Sequence, residues 1–146
     1  MDKETLINQM KTILGTNFGL YLKSHNYHWN IEGPDFAQYH DFLNDFYTAI
    51  WRNTDVIAEE IRKLGSYVPG SMERFLELCD IDEASGIPDA ISMLRQLHSD
   101  NNRFIVHLKA GIVAADSAGE PAVSNILQDI LGYHQKQEWM LRSLIK

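Results

Sequence analysis

Residues 35–65 read DFAQYHDFLNDFYTAIWRNTDVIAEEIRKLG. Phe36, Tyr39, Leu43, Phe46, Ile50, Ile57, Ile61 and Leu64 recur in near-heptad order, the period at which a helix buries one stripe and wets the other. Gly65 supplies the stop. A helix over 35–64 is therefore predicted, and the neighbouring segments follow from it. Upstream, past Gly33-Pro34, residues 3–29 carry Leu6, Met10, Ile13, Leu14, Phe18, Tyr21 and Leu22 at three- and four-residue steps. Downstream, Pro69-Gly70 lies in a turn, and residues 72–79 are long enough for two turns of a short connecting helix. Pro88 and Pro121 each read as a first-turn proline. The stripe Ile91, Leu94, Leu97, Ile105, Leu108 and Ile112 continues from Pro88 to about Ala115, and Ile126, Leu127, Ile130, Tyr133, Met140, Leu141 and Leu144 follow Pro121.

No strand-like alternation occurs. Four long helices with a short extra one between the second and third predict an all-α four-helix bundle with one crossover connection. At 146 residues, with 45% hydrophobic and 23% charged side chains, the chain reads as one domain over 1–146. Cys79 is the only cysteine, so an internal disulfide and a cysteine-bound zinc or iron–sulfur centre are excluded. The start MDKETLINQM has no signal-peptide pattern and no run is apolar enough for a membrane span. The expectation is a cytoplasmic protein. A formal net charge of -7, with Lys3, Lys11 and Lys23 widely spaced and little more than Arg142 and Lys146 near the end, makes DNA binding unlikely.

The chemistry-bearing residues concentrate where the first two long segments meet. His25, His28, His40, Asp55 and Glu59 offer imidazole and carboxylate, a donor set that suits iron, manganese or zinc. None of the six histidines has a glutamate three residues before it, so the usual Glu-x-x-His di-iron bundle is excluded. At about 100° per residue, His40, Asn44, Asp55 and Glu59 fall near 0°, 40°, 60° and 100° on their helix, on a face roughly 130° from the apolar stripe. Yet His40 and Glu59 are roughly 28 Å apart along the axis, beyond the reach of one metal.

Two copies of this helix solve the distance. Paired antiparallel about a two-fold axis between Ala49 and Ile50, residues 40 and 44 of one copy face 59 and 55 of the other, with Trp51 near the axis as a buried aromatic contact. The plainer reading is a solvated face on which Asp55, Glu59 and Glu60 balance Arg52, Arg62 and Lys63. His25, His98 and His107 each read more simply as core or capped residues.

The words KSHNYHWNIEGPDFAQYH and DVIAEEIRKLG, with GYHQKQEWMLRSLI near the end, closely resemble the Dps-family miniferritins over nearly the whole chain. The spacing from His28 to His40, Asp55 and Glu59 matches that family's ferroxidase ligands. The resemblance implies a ferritin-like bundle and a homo-oligomer, a dodecameric shell with metal sites at its two-fold interfaces. It further implies that Fe(II) is bound and oxidised there, with hydrogen peroxide as the preferred oxidant, and stored as ferric mineral. Iron is thus the metal expected, held by His28, His40, Asn44, Asp55 and Glu59, with His28, His40, Asp55 and Glu59 the catalytic set.

Two positions depart from the family. Asn44 stands where a carboxylate is usual, and Asp41 and Asp45, about 60° and 100° round the helix from it, do not replace it. At the three-fold pore, Glu120, Asn125 and Asp129 fall at the matching spacing, again with a neutral Asn. Trp29 and Trp51 lie near the ligands, as radical quenchers or as interface packing. The competing reading is a non-catalytic or weakly active shell or interaction protein whose site is degraded at Asn44.

Overall fold

A computed structural model describes residues 2–146, so of the predicted domain only Met1 lies outside. Among the described residues all regular structure is helical, as the periodicity predicts. The elements are α1 (Lys3–Asn30), α2 (Phe36–Lys63), α3 (Met72–Leu78), α4 (Ala90–Ser117) and α5 (Pro121–Leu144).

Local chemistry sets the ends. Asp2 caps α1 by accepting from the Thr5 amide at 2.9 Å, and Ser71 caps α3 by accepting from the Arg74 amide. Pro121 occupies the first turn of α5, as read from the sequence. Pro88 does not do the same for α4. That helix begins at Ala90, because Asp89 takes the capping position and accepts from the Ser92 amide at 2.8 Å. A carboxylate cap satisfies an otherwise free N–H, whereas a proline only avoids wasting one.

Side-chain pairings fix the topology. Between α1 and α2 the bonded or stacked pairs are 28/40, 25/47 and 17/50, whose numbers fall on one side as they rise on the other. The helices are therefore antiparallel. The same holds for α1 and α4 (Lys23 with Asp100, Tyr27 with Gln96) and for α4 and α5 (Asn101 with His134, His98 with Glu138). It follows that α2 and α4 run parallel, so residues 64–89 must return along the bundle, carrying α3 against α1.

The core is one cluster, with Leu6, Met10, Tyr27, Phe46, Ile57, Phe104 and Leu127 removed from solvent. Two residues assigned to apolar stripes are exposed instead. Leu22 and Phe36 are 43% and 41% exposed, each at the edge of its stripe. Lys23, by contrast, is buried: its ammonium meets Asp100 Oδ2 at 2.8 Å and the Asp82 carbonyl at 2.9 Å, tying α1 to α4 and to the crossover. Burial raises the Asp100 carboxyl above its ordinary range, opposed by the Lys23 hydrogen bond.

The crossover needs glycine where it meets α1. A Cβ on Gly15 would come within 2.6 Å of Leu78 Cβ, and one on Gly19 within 2.3 Å of Cys79 Sγ. Both positions are therefore points of close approach. Among the described residues no helix is long and apolar enough to cross a membrane.

Candidate metal centre

The five-residue link between α1 and α2 folds the end of one helix onto the start of the next. This brings His28 and His40 together, twelve residues apart in sequence. Their rings stack at 3.8 Å between centroids, tilted by 17°. His28 Nδ1 lies 2.9 Å from the His40 carbonyl oxygen, and His40 Nδ1 lies 2.8 Å from the His28 carbonyl oxygen. A carbonyl can only accept, so both Nδ1 atoms carry protons, and in the neutral ring Nε2 is left to present its lone pair. A neutral imidazole whose other nitrogen donates to the backbone is in the tautomer and orientation that metal-binding histidines adopt.

His28 is largely buried and His40 half-buried, while Asn44, Asp55 and Glu59 are exposed on α2. The two imidazoles are thus assembled within one chain and the carboxylates are not brought to them. Among the described residues, no group of three or more His, Cys, Asp or Glu side chains converges within a single chain in a way that could hold a metal ion. Glu59 lies about 28 Å along the helix from His40. The donors that would complete a centre must come from elsewhere.

The face that carries them is built for contact. Trp51, between the two ends of the set, is 57% exposed, and beside it opens a groove of about 500 Å³ lined by Trp51, Asp55, Ala58, Val68 and Phe75. Met72 and Leu76 of α3 and Val56 of α2 are also exposed. An exposed tryptophan beside a partly apolar groove is a feature of protein interfaces, and it is costly to leave wet.

Neighbouring aromatics were not singled out by their spacing. Tyr47, one heptad after His40, points its hydroxyl at Asn44 Oδ1, 3.3 Å away. Its ring stacks on His25 at 3.8 Å and 10°. His25 is also 2.9 Å from the Tyr21 hydroxyl through Nδ1 and lies against Trp29. Burial, and then the neighbouring His28, hold the His25 imidazole below its usual pKa. The clue in sequence was the four-residue step from Tyr21 to His25, which puts them on one helical face.

A model of the Ferritin-like domain matches residues 7–146. The "DNA protection during starvation protein 2" of Bacillus anthracis is 32% identical over 126 residues, covering 86% of this chain and 86% of its own length. The chain belongs to the Dps branch of the ferritin-like family. The uncharacterized low temperature-induced protein all0458 of Nostoc is likewise 32% identical, over 99% of this chain and 82% of that protein. The crystal structure of a Dps protein from Bacillus brevis superposes with a TM-score of 0.95 at 27% identity, covering 99% of this chain and 97% of that one.

In this Dps-family chain the other histidines have structural partners. His98 Nε2 meets Glu138 at 3.0 Å, and Glu138 in turn takes two bonds from Arg142. His107 Nε2 meets Asp80 at 2.7 Å beside Arg103. His134 is fully buried between Phe46 and Phe104, and burial alone pushes its pKa down to about 3. At the start of α5, Asn125 and Asp129 are exposed one turn apart, and Glu120 precedes the helix without a side-chain capping bond.

Proposed function

We propose that this chain is a subunit of an iron-oxidising and iron-storing shell, a miniferritin. His28 and His40 of one copy and Asp55 and Glu59 of a second copy take Fe(II) as substrate at the two-fold interface between them. The observation that carries this reading is the reciprocal pair of Nδ1-to-carbonyl bonds, which leaves two imidazole lone pairs free and close together. The Trp51 groove supports the second copy, because it lies on the same face of α2 as both halves of the donor set.

The chemistry follows from the donor types. Imidazole nitrogens accept Fe(II) readily, and carboxylate oxygens, being hard and anionic, stabilise Fe(III) more than Fe(II). A site that combines them favours loss of an electron. With hydrogen peroxide as oxidant, two Fe(II) and two protons give two Fe(III) and two waters, and the ferric product collects as mineral in the shell. A dodecamer, entry of iron past Glu120, Asn125 and Asp129, and a cytoplasmic setting complete the proposal. Asn125 is neutral, so the entry path carries less negative potential than three carboxylates would give.

A second reading, a shell with little or no oxidising activity, is favoured by Asn44. Its side chain has no charge to offer a cation, and its Oδ1 already accepts from Tyr47. Stopped-flow absorbance after mixing Fe(II) and peroxide separates the two. An assembled shell that oxidises iron no faster than buffer would sink the enzymatic reading, and a monomer in solution scattering would sink both. Condensation of DNA is disfavoured by the net charge of -7, and a retarded DNA band at low salt would overturn that exclusion.

A further inference from the structure

Near the end of α2 the donor face carries a cation that iron binding does not use. Arg62 follows Glu59 by three residues and falls at about 40° on the scale that puts His40 at 0°. Its guanidinium lies over the Tyr67 ring, 4.8 Å from the centroid, and Nη1 donates to the Ser66 carbonyl at 3.0 Å. The side chain is thus turned forward, past the end of the helix. Arg62 is itself exposed, and Tyr67 is 83% exposed. A cation and a large ring held together in open water form a preorganised patch of the composition that interfaces favour.

The complement lies at the other end of the same helix. Residues 32–38 are exposed without a break, and Glu32 and Asp35 flank Gly33-Pro34 in the link from α1 to α2. Asp35 is the N-cap of α2, yet its side chain makes no capping bond. Among the described residues, Glu32, Asp35 and Arg62 take part in none of the ion pairs. Beside them Phe36 stacks on His40, with centroids 4.8 Å apart, and leaves its outer edge to solvent. Within one chain the two ends are separated by the length of α2, roughly 40 Å, so they cannot satisfy each other.

Symmetry brings them together. The antiparallel pairing that sets residues 40 and 44 against 59 and 55 of a second copy also sets Ala37 against Arg62 and Gly33 against Ser66. Because the guanidinium reaches forward to Ser66, it arrives between the two carboxylates of the link, and the tyrosine ring arrives over Phe36. We propose that the Arg62–Tyr67 corner of a second copy docks on the Glu32–Asp35 link and closes the rim of the candidate metal centre beside His40. Each centre then takes a lid as well as its carboxylates from the neighbouring copy, and its stacked imidazoles are shielded from water on the side of the link. This rests on the two-fold pairing in the iron-oxidising reading above.

The test uses metal-free assembled protein in which the photo-cross-linking residue p-benzoylphenylalanine replaces Tyr67. After irradiation, peptide mass spectrometry should find adducts on residues 32–37, which lie out of reach in the same chain. The same probe in place of Trp51 reads the pairing itself, through adducts between isotopically light and heavy chains. Such adducts from position 51, with none from position 67 to residues 32–37, overturn the lid and leave the pairing standing. No intermolecular adduct from either position overturns both. A second arm reverses the charge. Arg62→Glu sets like charges against each other and should raise the concentration at which the assembly dissociates on dilution, read by light scattering, roughly tenfold or more. Adding Glu32→Arg and Asp35→Arg should restore native dissociation. An assembly indifferent to Arg62→Glu, or one that the reversed link does not restore, overturns the proposed docking.

Discussion

Two histidine-centred arrangements in this molecule share a bonding plan and differ in outcome. At the α1–α2 end, His28 and His40 each sit 2.8–2.9 Å from the other's carbonyl through Nδ1. Between α4 and α5, His134 Nδ1 meets Asn101 Oδ1 at 2.6 Å while Asn101 Nδ2 donates to the His134 carbonyl at 2.9 Å. Both plans fix the ring and leave Nε2 free. His134 Nε2, however, is buried without a partner among aromatic rings, and the same desolvation that pushes its pKa to about 3 bars any ion from reaching it. What makes an oriented imidazole available for metal is the place to which its second nitrogen points.

The comparison breaks most visibly at the metal. His28→Ala or His40→Ala should weaken Fe(II) binding by more than the roughly 10–100-fold that loss of an outer-sphere partner costs, with little change in unfolding. Isothermal titration under anaerobic conditions reads it, and unchanged affinity would remove these residues as ligands. His134→Phe should do the reverse. At pH 7 it strands Asn101 Oδ1, at a cost of about 1–3 kcal/mol, and leaves iron binding intact.

It should also remove a pH dependence. Below about 6.5 the unfolded chain takes up a proton that folded His134 refuses until about pH 3. Native stability is therefore fully present above pH 6.5 and falls with acid, by on the order of 1.4 kcal/mol per pH unit, until about pH 3. Denaturant midpoints at pH 7 and 4.5 should converge in the variant relative to native protein; an equal separation in both means that His134 does not stay neutral. A smaller gain is expected from Asn44→Asp, which adds one anionic donor and should tighten Fe(II) binding on the order of tenfold, or about 1.4 kcal/mol. Tyr47→Phe removes only the 3.3 Å contact to Asn44, so its effect on stability should be about 0.5 kcal/mol by thermal melt.

How much of this was legible beforehand depended on whether a feature was periodic or reciprocal. The helices and the long crossover follow from spacing, since apolar stripes and glycine stops are local properties of the chain. The α4 start was misplaced because Pro88 and Asp89 offer competing signals, and the side-chain cap wins. Leu22 and Phe36 were placed in the core because a stripe's edge looks like its centre until the neighbouring helix is in position. At the candidate metal centre, helix phase put His40, Asn44, Asp55 and Glu59 on one side of α2. The stacking of His28 on His40 was not predictable, because each side chain bonds to backbone twelve residues away, across a turn whose geometry no local pattern specifies. The same is true of Lys23, which reads as a surface charge and is instead buried against Asp100.

One consequence of the tight seam between α1 and the crossover concerns sulfur. Cys79 is pressed over Gly19, and burial raises its thiol pKa above the ordinary value, which outweighs the opposing effect of the Ile81 backbone. Peroxide attacks the thiolate, not the thiol. A subunit read as working with peroxide therefore keeps its single oxidisable sulfhydryl in the unreactive form. A side chain in place of Gly19 would push that sulfur outward and expose a scavenger that is consumed instead of regenerated.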